Sequence, residues 1–164
     1  MEIIFQLFDI DYIQLDNSPA VRLFGKTKEG KTVCAFYRGY YPYFYILPKT
    51  GFKQELLDFL ESSSLVLKIE ETEKFLPMGF QKDKTKVIKI FLRDPSRVPE
   101  IRDQLKTKEF VEEIFEGDVL FKYRFMADFD IFSMRWYKVE GEGRNTYTVK
   151  ADKTIEINSI EEIE

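Results

Sequence analysis

The run Arg38-Gly39-Tyr40-Tyr41-Pro42-Tyr43-Phe44-Tyr45-Ile46-Leu47 carries most of the structural information in this sequence. It places five aromatic rings in six residues, around a proline that cannot donate a hydrogen bond to a sheet. Because Tyr and Phe favour strands, the run predicts a β-strand. Such a strand either covers a core or presents its rings to a ligand, and the pattern of the run alone leaves both interpretations open.

The segments after this run alternate between helical and strand periodicity. They predict a helix, two strands, a helix and a strand, in that order, at about 52–62, 65–71, 87–92, 97–106 and 110–115. Together with the aromatic strand they form a split βαββαβ unit of the ferredoxin-like or RRM-like kind, in which two helices cover one sheet face and the other stays open. In strand 87–92 we expect Val87, Lys89 and Phe91 on the open face.

The regions before and after this unit contain shorter strand and helix patterns. Residues 1–37 predict a small antiparallel meander whose first strand, 3–15, is interrupted at Asp9-Ile10-Asp11. Residues 119–164 predict a helical segment, a strand over 129–139 and a hairpin from 147–150 and 154–157, ending like a linker to another domain. The sequence is therefore interpreted as one α+β domain, 1–164, with parts 1–37, 38–118 and 119–164.

Composition excludes several classes of function. The 164 residues include no histidine and a single cysteine, so neither an internal disulfide nor a Ser-His-Asp or Cys-His arrangement can be built from them. No apolar run approaches the ~20 residues that a membrane-spanning helix needs. We expect an intracellular protein, cytoplasmic and associated with the nucleoid, that is monomeric and has no membrane partner.

Charge is distributed unevenly along the chain. The net charge is −4, yet ten Lys and Arg residues face only four acids between Lys74 and Lys108. Because salt screens charges beyond ~8–10 Å, such a basic region can bind a phosphate backbone although the whole chain is acidic. A solvated surface is the other interpretation of this pattern.

Several short motifs occur here in the order and spacing of a known family. They include Asp9-Ile10-Asp11-Tyr12-Ile13, Tyr41-Pro42-Tyr43-Phe44-Tyr45, Phe91-Leu92-Arg93-Asp94-Pro95 and Ile114-Phe115-Glu116-Gly117-Asp118-Val119. Over about residues 5 to 141 the sequence resembles the N-terminal domain of family B DNA polymerases and is most similar to archaeal replicative ones.

This resemblance implies a function and a site. In the family, this domain contacts the single-stranded template ahead of the polymerase site, and in archaeal members it holds a pocket that captures a template uracil. The matching positions are Tyr12, Pro42, Tyr43 and Val87, with the backbone amides of Tyr43 and Phe44 near the base edge. We add the open-face residues Lys89 and Phe91 to these nucleic-acid-binding positions. We expect phosphate contacts from Lys82, Lys84, Lys86, Arg93 and Arg97. The segment 77–84 departs from the family pattern at the pocket wall.

Catalysis is not expected from this sequence alone. The metal-binding aspartates of the family's polymerase and exonuclease sites have no match here, so we expect no cofactor for this domain and Mg²⁺ only for the parent polymerase. Asp9 and Asp11 are expected to have a structural role. The expected partners are the template strand and the exonuclease and palm domains. The alternatives are a purely structural domain that braces those two domains, and an RRM-like regulator that binds RNA.

Overall fold

The structure is a computed structural model that describes residues 1–74, 84–144 and 149–164. Those residues divide into two compact units, Met1–Tyr40 with Leu120–Glu164, here called the barrel unit, and Tyr41–Val119, here called the sheet unit. The elements follow in the order β1 (Glu2–Leu15), β2 (Ser18–Lys26), β3 (Thr32–Arg38), β4 (Tyr43–Pro48), α1 (Lys53–Ser62), β5 (Val66–Lys74), β6 (Thr85–Leu92), α2 (Val98–Lys106), β7 (Val111–Phe115), α3 (Phe121–Asp128), β8 (Trp136–Gly143) and β9 (Lys153–Ile163).

The barrel unit is a closed five-stranded barrel with the strand order β1-β2-β3-β9-β8. β3 and β9 pair in parallel and the other neighbours pair antiparallel. With α3 lying between the third and fourth barrel strands in sequence, this is the connectivity of an OB-fold. Alternate strand residues point inward and form its core, including Phe5, Leu7, Leu23, Tyr137 and Ile155.

The barrel differs from the sequence prediction in two places. β1 runs through Asp9-Ile10-Asp11 without a break, because a bulge between Leu7 and Asp9 absorbs the irregularity. The predicted C-terminal helix is present as α3, but β9 pairs with β8 and not with Val149 and Lys150 of the predicted hairpin, and β8 and β9 are barrel strands rather than a linker. The sequence placed these strands wrongly because a barrel strand pairs with residues far away in sequence, which local patterns do not show. Part of the predicted hairpin, 147–148, lies outside the described residues.

The sheet unit has the strand order β5-β6-β4-β7, with every neighbouring pair antiparallel. This is the ferredoxin-like order that the sequence predicts. α1 and α2 pack on one face, where Ile88, Ile90 and Leu92 of β6 meet Leu56 and Ile101. Ile88, Ile90 and Leu92 thus face the core, opposite to the side predicted for Lys89 and Phe91, and the α+β fold class is confirmed.

Candidate nucleic-acid interface

The sheet face opposite α1 and α2 brings together residues from three neighbouring strands. Tyr43 of β4 lies opposite Phe91 of β6, and Tyr45 lies opposite Lys89. Across the next pair, Lys68 and Glu70 of β5 lie opposite the same two β6 residues. Residues directly opposite each other in an antiparallel pair share one face. Two of the three residues predicted on the open face, Lys89 and Phe91, therefore lie beside two tyrosines.

Three half-buried rings form the centre of this face. The centroids of Tyr43 and Phe91 are 5.6 Å apart, and those of Tyr43 and Tyr45 are 5.9 Å apart. These spacings are typical of tilted and edge-to-face aromatic contacts. The rings thus support one another and form a small stacking platform.

Lysine ammonium groups cover the platform. The Nζ atom of Lys89 lies 4.1 Å from the Tyr43 centroid, 4.9 Å from that of Phe91 and 5.8 Å from that of Tyr45. The Nζ atom of Lys68 lies 5.5 Å from the Phe91 centroid, and that of Lys74 lies 4.5 Å from the Tyr45 centroid. All five distances are within the range of cation-π attraction. We call these three rings and three lysines the aromatic-lysine face.

The lysines differ in their other contacts. Lys68 forms a salt bridge of 2.7 Å with Glu70, and Lys74 forms one with Glu116. Within residues 1–74, 84–144 and 149–164, Lys89 forms no salt bridge. Its ammonium group is therefore available to an anionic ligand.

The residues expected in a uracil pocket are not all presented in the same way. Phe44 is buried in the core beneath α1 and α2, so only its backbone could read a base. Pro42 is buried, and its carbonyl accepts a hydrogen bond of 2.9 Å from the backbone N–H of Leu92. Val87 is 2% exposed and helps to line a cleft of about 360 Å³ beside Pro48 and Lys86.

Tyr12 is the expected pocket residue that belongs to the barrel unit. It lies on β1 opposite Val21, and its half-buried ring makes an edge contact with Phe121 at 5.1 Å between centroids. The structure therefore places Tyr12 in one unit and the other expected pocket residues in the second.

The expected phosphate contacts do not form one cluster. Lys84 and Lys86 are exposed at the start of β6, whereas Arg93 and Arg97 are exposed beyond its end, about 23 Å away at ~3.3 Å per residue. Lys86 alternates with Val87 and so falls on the helix side of the sheet. A 2.5 Å hydrogen bond to Glu100 raises the pKa of Arg97. Lys82 lies outside the described residues.

Tyr45, Lys68 and Lys74 belong to the face but are absent from the sequence prediction. Tyr45 follows Tyr43 at the period of two that places both rings on one side of a strand, so alternation alone could have found it. The two lysines could not be found in this way, because their position depends on how β5 pairs with β6.

Asp9 and Asp11 have the structural role expected for them. Arg22 donates two hydrogen bonds to the carboxylate of Asp11, at 2.7 and 2.6 Å, across the β1–β2 pair. Asp9 accepts one of 2.9 Å from the backbone N–H of Ile10. In the part of the chain that the structure describes, no group of three acidic, histidine or cysteine side chains could hold a metal ion.

Burial of Cys34 predicts a measurable pH dependence. Loss of water around the thiol raises its pKa to about 12, whereas an unfolded thiol titrates near ~8.5. Above pH ~8.5 the thiol of the unfolded chain loses a proton that the folded chain keeps. The free energy of unfolding therefore falls as pH rises, by at most about 1.4 kcal/mol per pH unit. Urea unfolding at about pH 8 and about pH 10 should show a steeper fall for wild type than for Cys34→Ala. Equal slopes would contradict the assignment.

None of the helices among the described residues is long and apolar enough to cross a bilayer.

Both architectures in this chain, an OB-type barrel and a ferredoxin-like sheet with aromatic rings on its open face, recur in proteins that bind single-stranded nucleic acids. Comparison with known proteins gives the family. No family model matches the chain. DNA polymerase 2 of Aeropyrum pernix is 30% identical over 141 residues, which cover 83% of this chain and 17% of the polymerase. The catalytic subunit of DNA polymerase delta from Arabidopsis thaliana is 32% identical over 173 residues, covering 84% and 16%.

Comparison with solved structures finds a polymerase as well. The family B DNA polymerase from the archaeon Pyrobaculum calidifontis matches 99% of this chain with a TM-score of 0.78 and 23% sequence identity, over 21% of its own chain. The chain thus resembles the N-terminal region of family B DNA polymerases, including archaeal ones, which confirms the resemblance predicted from its motifs. It spans about a sixth of the length of the two relatives named here.

Proposed function

We propose that this chain is the N-terminal domain of a family B DNA polymerase and that its aromatic-lysine face binds the single-stranded DNA template ahead of the polymerase site. The observation that carries the proposal is the Lys89 ammonium group, which lies within 6 Å of three clustered rings on one sheet face. Rings stack on bases of any sequence, and ammonium groups neutralise phosphates, so the face combines the two contacts that single strands require.

The acidic total does not oppose this function. Lys68, Lys74 and Lys89 stand on one face, and only nearby charge is felt at physiological salt because the Debye length is ~8 Å. Two of these lysines are exposed to a quarter or more of their side-chain surface, at 61% for Lys68 and 26% for Lys74. The face can therefore attract a phosphate backbone locally.

A finer part of the proposal is recognition of uracil in the template. Tyr12, Pro42, Tyr43 and Val87, with the amides of Tyr43 and Phe44, are the residues that the family resemblance assigns to it. A rigid wall of such side chains discriminates by size, because thymine carries a 5-methyl group that uracil lacks. Main-chain groups would read the pairing edge of a base turned out of the stack.

The parent polymerase would supply the chemistry. We propose that the exonuclease and palm domains of the same chain are neighbours of this domain and that the Mg²⁺ of the parent acts there. Binding by this domain is expected to need no cofactor, so it should persist in EDTA.

The test is a titration of fluorescent single-stranded oligonucleotides that contain either uracil or thymine. We expect binding that weakens with salt, with a slope of about −0.7 per phosphate contact, and tighter binding to the uracil strand. Absence of binding would leave only the structural role of bracing other domains, and salt-independent binding would contradict the phosphate contacts. Equal affinity for both strands would remove uracil recognition alone. Preference for RNA of the same sequence would favour an RNA-binding regulator.

A further inference from the structure

Two carboxylates form salt bridges with lysines at opposite ends of the aromatic-lysine face. Glu70 pairs with Lys68 at 2.7 Å, and Glu116 pairs with Lys74. The Nζ atom of Lys68 lies 5.5 Å from the centroid of Phe91 and that of Lys74 lies 4.5 Å from the centroid of Tyr45, the two outer rings of the platform. The free protein therefore holds its own anions where a nucleic-acid ligand would place phosphates.

Glu70 lies beside two of the three lysines of the face. It stands two residues from Lys68 on β5 and directly opposite Lys89 on β6, so its carboxylate is beside two ammonium groups. The hydrogen bond from Lys68, helped by the charges of Lys68 and Lys89, lowers the pKa of Glu70. Its side chain is 39% exposed, so a ligand can reach the pair.

Glu116 reaches the face from the end of β7. Its backbone has a φ of 61°, in the left-handed region that residues other than Gly, Asn and Asp seldom adopt. It follows Phe115, which lies opposite Tyr45 in the β4–β7 pair. Glu116, the residue directly after the strand, is thus the one that pairs with Lys74 beside the Tyr45 ring.

We propose that Glu70 and Glu116 are internal competitors of the DNA backbone, each holding a lysine that a phosphate group takes over when a strand binds. This inference rests on the proposed function of the aromatic-lysine face. The backbone positions of Lys68 and Lys74 lie about 20 Å apart along β5. A ligand that displaces both carboxylates must therefore be a polymer that spans several phosphates, and a single nucleotide would displace at most one. The competitors set a threshold that favours an extended strand over small anions.

The experiment compares single-charge variants in binding a fluorescein-labelled oligothymidylate of about 16 nucleotides. Glu70→Gln and Glu116→Gln keep the shape of the side chain and release the lysine, so each is expected to tighten binding about three- to tenfold. The matched control is Glu71→Gln. Glu71 neighbours Glu70 on β5, carries the same charge and pairs with Lys53, but alternation places it on the helix side of the sheet. Its substitution should change affinity less than about twofold.

Two results from the single-charge variants would overturn the inference, and a third comes from a double variant. One is an unchanged affinity in both Glu70→Gln and Glu116→Gln, and the other is an equal gain in Glu71→Gln, which would reduce the effect to net charge. In a Lys68→Ala background, Glu70→Gln should bring a clearly smaller gain, and a full gain there would also contradict the proposal.

The outcome also separates this inference from the proposed function. If Tyr43→Ala and Lys89→Ala weaken binding but the glutamine variants do not strengthen it, the face binds DNA and only the competition is wrong. If the wild-type protein does not bind the oligonucleotide, or if Tyr43→Ala and Lys89→Ala leave binding unchanged, both proposals fail.

Discussion

The Tyr43→Ala variant is expected to bind single-stranded DNA about tenfold or more weakly than the wild-type protein, because stacking on one aromatic side chain contributes about 1–3 kcal/mol per base. Tyr43 contacts Phe91, Tyr45 and Lys89 at once, so its removal opens the middle of the platform. Fluorescence anisotropy with a labelled oligothymidylate measures the change.

Lys89→Ala should lower the slope of log affinity against log salt concentration by about 0.7, the value of one phosphate contact.

The barrel unit provides a matched control for both substitutions. Tyr123 is 55% exposed, and the Nζ atom of Lys122 lies 5.1 Å from its ring centroid, so this pair repeats the tyrosine-lysine contact on α3, which is not part of the aromatic-lysine face. Tyr123→Ala and Lys122→Ala should leave affinity nearly unchanged. A loss as large as that of Tyr43→Ala would show that any exposed ring or lysine contributes, and the specific face would then have to be abandoned.

The Gly25→Ala variant is expected to lower the free energy of unfolding of the barrel unit by about 3 kcal/mol or more. A Cβ atom at Gly25 would stand 2.0 Å from the backbone oxygen of Gln6 and 2.5 Å from the ring of Phe5. Both neighbours belong to β1, which pairs with β2 at this point, and a backbone oxygen cannot move aside as a flexible side chain can. Relief therefore requires the two strands to separate.

Trp136 makes this measurement specific to the barrel. It is the single tryptophan of the chain and lies on β8 opposite Gln6, so its fluorescence in a urea titration reports on the unit that Gly25 supports. Gly30→Asn is the control for backbone strain without a clash, since its backbone has a φ of 83° and no atom lies within 4 Å of a Cβ there, and it should lower the free energy of unfolding less than Gly25→Ala. If Gly25→Ala unfolds at the same urea concentration as wild type, the close contact between β1 and β2 is not rigid.

Local sequence patterns predicted the sheet unit well because each of its elements is short and its core faces repeat regularly. Ile88, Ile90 and Leu92 alternate with Val87, Lys89 and Phe91, and this alternation correctly separates the core side of β6 from the open side. The same reasoning extended to β4 would have added Tyr45. Lys68 could not be assigned, since its place beside Phe91 depends on the pairing of β5 with β6 and on a shift in that register between Val66 and Lys68.

The barrel was harder to predict because its decisive contacts are distant in sequence. Val33 pairs with Lys153, and no local pattern in either segment announces the other. The hydrophobic residues Tyr137, Val139, Ile155 and Ile157 alternate as strands do, but only pairing with β1 and β3 shows that they close a barrel. The expected phosphate contacts stay a prediction, but a charge count along the chain does not show that Lys86 and Lys89 fall on opposite faces of one strand.

The insertion of the sheet unit between β3 and α3 has a consequence for how the protein is made. A ribosome produces β1, β2 and β3 first and β9 last, with the whole sheet unit synthesised in between. The sheet unit has all of its pairing partners as soon as Val119 has emerged, whereas the free edges of β1 and β3 must wait for β8 and β9. The barrel strands that precede the sheet unit are therefore fully paired only after the sheet unit has formed, and until then they carry two unpaired strand edges of the kind that promote aggregation.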